Sequence, residues 1–87
     1  MLEIGQFVEI RPQGRKARPQ VGVIIGLSFD KSGVCRMVKV YVRTHHLVVG
    51  TPTTAVKPVA CPPARREGDT LITGKGLKIS LKTGYPL

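Results

Sequence analysis

Glycine and proline punctuate this chain so often that they decide what it can become. Ten glycines and seven prolines are spread through 87 residues, and their spacing denies most of the chain the uninterrupted run that a long amphipathic helix needs. The apolar residues between them are mostly valine, isoleucine and leucine, with no tryptophan. Branched side chains of that kind suit a pleated, half-buried surface. The expected fold class is all-β, and the length allows one hydrophobic core and no second.

Period-two patterning places the strands. In "IGQFVEIR", residues 4–11, Ile4, Val8 and Ile10 share one face while Phe7, Glu9 and Arg11 share the other. In "VGVIIGLSF", residues 21–29, Val21, Val23, Ile25, Leu27 and Phe29 are expected inward, with Gly22, Gly26 and Ser28 opposite. Glycine at such positions implies sharp coiling or close approach of another backbone. "DKSG", residues 30–33, supplies an Asp that can bond a following amide and a Gly that can take positive φ, so a hairpin is expected there. "VCRMVKVYVR" then sets Val38, Val40 and Val42 inward and Met37, Lys39, Tyr41 and Arg43 outward.

Beyond this the alternation weakens. A short strand at 46–49, a turn around Gly50 to Pro52 and a last strand or 3₁₀ segment ending near Val59 complete a first unit over residues 1–60. "ACPPARREGD" pairs prolines with a charge cluster and is expected to be a linker over 61–69. Residues 70–87 come next as a hairpin and tail, with Leu71, Leu77, Ile79 and Leu81 on one face and Lys78, Ser80 and Lys82 on the other. An isolated hairpin is marginal in water, so that apolar face must cover the first unit or another chain.

Five short strands, a long loop after the first and a tight hairpin after the second resemble the layout of an SH3-like barrel. Gly5, Val8, Ile10, Gly14, Gly22, Val23 and Ile25 match a KOW-type module: a glycine before the first strand, a Gly-containing basic loop, and Gly-Val-Ile leading the second strand. The resemblance spans residues 3–43 and extends to 59. Gln6 stands where such modules commonly carry an acid, and the loop is longer than the compact KOW turn. The resemblance implies a barrel of about five strands with an added C-terminal hairpin, and a loop that contacts RNA or protein.

Charge sets the expected partner. Fourteen Lys and Arg against five acids give a formal +9, a self-repulsion that a polyanion relieves. "RPQGRKARPQ", residues 11–20, carries Arg11, Arg15, Lys16 and Arg18 without one carboxylate, closer together than the ~8 Å over which physiological salt screens charge. These cations, with Lys39 and Arg43, are expected to contact phosphates, and Lys75, Lys78 and Lys82 form a second basic element. Tyr41, outward between Lys39 and Arg43, and Phe7 are candidate stacking surfaces for bases. The alternative for the loop is a solvated surface, and for the rings burial beneath a loop or the added hairpin.

Other chemistries find little footing. Cys35, Cys61, His45 and His46 lack the tight pairing of a structural zinc site, and two cysteines make no disulfide framework. "GDTLITGKG" misses the phosphate-loop spacing and has Gly76 where Ser or Thr would hold magnesium. No nucleophile motif or carboxylate pair suggests catalysis. The expectation is a cytoplasmic non-enzyme without cofactor or metal, with neither a signal peptide nor the roughly 20-residue apolar run of a membrane helix. The expected partner is RNA or DNA, contacted mainly through phosphates. The alternative is a protein-interaction or assembly module, such as a virion or ribonucleoprotein component that docks its C-terminal hairpin, or a regulator of an acidic protein surface.

Overall fold

The computed structural model describes residues 2–11, 18–42, 47–60, 62–74 and 76–87. Strand β1 (Phe7–Ile10) leads to β2 (Gln20–Phe29), β3 (Cys35–Val42) and β4 (Leu47–Pro52). A 3₁₀ turn (Thr53–Ala55) then precedes β5 (Val56–Pro58). These five form one antiparallel sheet in the order β4-β3-β2-β1-β5. β6 (Arg65–Glu67), β7 (Thr70–Ile72) and β8 (Lys78–Ser80) form a second, three-stranded antiparallel sheet. The all-β expectation therefore holds, in an arrangement consistent with a small barrel plus an added C-terminal sheet. Among the described residues, no helix is long and apolar enough to cross a membrane.

The long strand β2 bends the large sheet. Its first residues pair with β1, from Gln20 opposite Ile10 to Val23 opposite Phe7, and from Val23, opposite Tyr41, onward it pairs with β3. The register slips between Ile24 and Gly26, so Ile25 is an extra residue, a bulge that sharpens the local twist. One inserted residue also inverts the parity of every position after it. Ile24 and Leu27 consequently pack inward with Val8, Val38, Val40 and Val42, while Val23 and Ile25 face the opposite side with Tyr41. The uniform alternation expected over residues 21–29 is corrected: of the five residues expected inward, Val23 and Ile25 pack on the outer side and Leu27 on the inner one, while Val21 near the start of β2 and Phe29 at its end are 50% and 61% exposed.

Two clusters thus lie on the two faces of one sheet. The inner one is closed by Ile10, Val49 and Val56. The outer one is covered by the small sheet, whose Leu71 and Ile79 are fully buried against Val23, Ile25 and Tyr41. Burying two such side chains is worth about 1.5–3 kcal/mol each relative to exposure. That is how the marginal C-terminal hairpin finds its partner.

Three local expectations change. Gly50 to Pro52 is not a turn, because β4 continues through it, paired with β3 as far as Pro52 opposite Met37. The chain reverses one step later, in the 3₁₀ turn. The expected linker contains β6, which pairs with β7 and makes the C-terminal unit three-stranded; Ala64 just before it donates its N–H to the Gly5 carbonyl at 2.7 Å. Tyr41 does not face solvent. It is 1% exposed, beneath the small sheet, with the Tyr85 ring edge-on at 6.5 Å.

The predicted hairpin after β2 is present. Asp30 accepts the Ser32 and Val34 amides, the Ser32 hydroxyl and Arg36 Nε at 2.6–3.1 Å, and Gly33 has φ 84°. Gly22 meets the expected close approach: a Cβ there would lie 2.5 Å from the Tyr41 carbonyl oxygen, so any side chain would force β2 or β3 to shift.

Candidate functional site

The 3₁₀ turn is the hub around which the cations at one rim gather. Arg11 leaves β1 and donates its backbone N–H to the Ala55 carbonyl at 2.9 Å. On the other side, the Thr53 hydroxyl lies 3.2 Å from the Cys35 carbonyl and 3.4 Å from that of Arg36. The turn therefore ties the end of β1 to the start of β3. Directly after it, β5 sets Lys57 opposite Glu9.

Alternation decides which way these side chains project. Val8 and Ile10 contribute to the inner cluster, so Phe7, Glu9 and Arg11 belong to the outer face of the sheet. Val56 packs inward, which sets its neighbour Lys57 on that outer face as well. Arg11, Thr54, Ala55, Val56 and Lys57 enclose an open, predominantly polar pocket of about 350 Å³. Arg18 is exposed, two residues before Gln20, whose partner is Ile10; it starts from the same edge as Arg11.

The acids are largely engaged elsewhere. Asp30 pairs with Arg36 at 2.7 Å, Glu67 with Arg65 at 3.2 Å and Asp69 with Lys82 at 3.8 Å. Hydrogen bonds from the Ser32 hydroxyl, Arg36 and the Val34 amide hold the Asp30 carboxyl at about 2, below its ordinary 3.8. Among the described residues, Arg11, Arg18, Lys39, Lys57 and Lys78 make no ion pair. Glu9 is the one carboxylate on the strip between Phe7 and Arg11, directly opposite Lys57, so Arg11 and Lys57 against Glu9 leave the strip with one net positive charge.

The structure gathers some of the expected residues and separates others. Arg11 borders one pocket with Lys57 and Thr54, and Arg18 lies two residues before the Gln20–Ile10 pair at the same end of β1. Lys39 stands exposed on the outer face of β3, opposite Gly50 of β4 and against Gly26 of β2. Lys78 lies on β8 of the small sheet, outward beside buried Ile79, and Lys82 lies in the turn after it, engaged by Asp69. Tyr41, beneath that sheet, offers no exposed ring. Arg15, Lys16, Arg43 and Lys75 lie outside the described residues, as do His45, His46 and Cys61. Cys35 is half-buried, its thiol 3.5 Å from the Met37 carbonyl.

Lys57 and Thr54 escape a sequence reading because they fall where the alternation is weakest. The signal is present in "AVKPV", where Lys57 alternates with Val56 and so marks an outward strand position.

A second cavity opens along the same outer face. About 410 Å³ of mainly apolar space lies between the large sheet and the C-terminal segment, lined by Phe7, Val21, Tyr41, Pro63, Thr73 and Leu77 among others. Comparison with known proteins gives no match: no family model fits the chain, and no curated protein or solved structure is significantly similar to it.

Proposed function

We propose that this protein is a small SH3-like barrel that binds nucleic acid through its phosphates, as a binding protein and not an enzyme. The observation that carries this is the pocket where Arg11 and Lys57 face a shared polar space with Thr54, with no ion pair among the described residues neutralising either cation. Bidentate guanidinium and point-charge ammonium groups beside a hydroxyl make a phosphate-binding set. Arg18 starts from the same end of the β1–β2 pair, and the sequence supplies two more cations, Arg15 and Lys16, between Arg11 and Arg18. Further support comes from the five-strand order, with its long connection after β1, tight hairpin after β2 and 3₁₀ turn before β5, which suits the barrel reading.

The C-terminal apolar face, which motivated a protein-docking alternative, is covered by the large sheet, so the phosphate reading is the one the geometry favours. About four phosphate contacts predict that log K falls with log salt at a slope near −3.6 on duplex or −2.8 on a single strand. Replacing Arg11 and Lys57 together by serine removes two contacts and flattens the slope by about 1.4 to 1.8, weakening all sequences alike. The check is fluorescence anisotropy with labelled oligonucleotides across a salt series. Affinity independent of salt, or unchanged in the double variant, refutes the proposal.

A further inference from the structure

The apolar cavity and the cationic pocket are each bordered by one end of the same short run of chain, β1 and the residue after it. Phe7, the first residue of β1, borders the first and Arg11, the residue after β1, the second, four positions that extended backbone spans in about 13 Å. Glu9 lies between them, opposite Val21 on one side and Lys57 on the other. The small sheet covers Val23, Ile25 and Tyr41 but leaves Val21 half exposed at the cavity. The cavity, at about 410 Å³, falls within the roughly 300–1,000 Å³ of small-ligand sites. Its walls combine the half-buried Phe7 ring with two prolines, and Thr73 and Gly74 bring polar atoms to one side.

We propose that this strip selects single-stranded nucleic acid over duplex: one unstacked base enters the apolar cavity against Phe7 while neighbouring phosphates rest on Arg11 and Lys57. The inference rests on the phosphate-binding function proposed above and names its substrate class. A single strand offers a flat ring and a negative charge at every residue, matching an apolar cavity beside a cationic pocket. Duplex keeps its bases stacked and paired, so it reaches the cations but cannot fill the cavity without the cost of unstacking. Stacking on a protein ring tolerates any base, so the cavity gives strand selectivity without sequence selectivity. A span of about 13 Å is one that a short run of nucleotides crosses. Tyr41, which closes the floor, gives the site its depth without being the stacking surface.

The test uses oligothymidylate and oligouridylate of about 12 nucleotides, within the span of known single-strand grooves, and a duplex of equal length, all followed by anisotropy at one salt concentration. Single strands bind more tightly than duplex, and Phe7→Leu, which keeps the apolar bulk but removes the ring, weakens single-strand binding about tenfold while duplex binding stays the same. A strand carrying 2-aminopurine changes its emission on binding as the probe base leaves its stack, a readout that does not depend on any variant folding. Duplex preference, equal losses on both substrates, an unaffected Phe7→Leu or an unchanged 2-aminopurine signal each overturns the inference. So does tighter binding of an acidic tyrosine-containing peptide than of either strand. Salt-dependent binding with no Phe7 effect leaves the phosphate-binding function standing and removes only the base site; absence of all oligonucleotide binding removes both.

Discussion

Leu71→Ala tests whether the two sheets are one cooperative body. Leu71 has no exposed surface and packs between the sheets with Val23, Ile25, Tyr41 and Ile79. The substitution deletes three carbon atoms, worth about 0.8 kcal/mol per methylene-sized group in transfer; the unfilled space adds a further penalty, so about 3 kcal/mol is expected, inside the usual range for buried leucine. In a domain of this size each kcal/mol lowers the Tm by about 4–8 °C, which gives a fall of about 12–24 °C. Calorimetry should show one transition moved down by that amount, with the near-ultraviolet dichroism of Tyr41 and Tyr85 lost in the same step. Leu87→Ala, at an exposed position, is the control and should shift stability by no more than about 0.5 kcal/mol. The reasoning fails if the main transition stays in place while a separate, weaker one appears, because the small sheet would then melt without taking the tyrosine cluster with it.

Two further outcomes concern the large sheet. Gly22→Ala should cost about 1–3 kcal/mol in a urea titration, since its methyl would press on the Tyr41 carbonyl and the Val40 side chain; an unchanged midpoint would mean that β2 and β3 can part there freely. Asp30 has a folded pKa below its ordinary value, so its contribution is present above about 4 and disappears as pH falls toward 2. The stability gap between the protein and Asp30→Asn should therefore narrow over that interval in acid titrations followed by circular dichroism, and a gap that widens there contradicts the assignment.

Strand positions were legible because alternation is a local property: Val8, Val38, Val40 and Val42 announce their inner face without reference to anything distant. Ile25 was not, since a bulge is defined by the partner strand's count and leaves no mark in the bulged strand's own composition. Tyr41 misled for a related reason. Period two places it on the outer face correctly, but whether that face is wet depends on Leu71 and Ile79, some thirty or more positions later in the chain. Charge behaved likewise. The basic stretch around Arg11 is conspicuous in sequence, whereas its neighbour Lys57 joins it only through the pairing of β5 with β1. Lys78 and Lys82 look equivalent to that stretch on paper yet lie in the second sheet and in the turn that follows it.

The bulge at Ile25 also makes chain length in β2 harder to change than residue identity. Substituting a valine for an isoleucine there alters one contact, but losing a single residue upstream or downstream of the slip would rotate half the strand by a half-turn, presenting Leu27 to solvent and Gly26 to the interior. Homologues of this fold should accordingly vary in what β2 contains while keeping its count, with insertions and deletions diverted to the connections on either side.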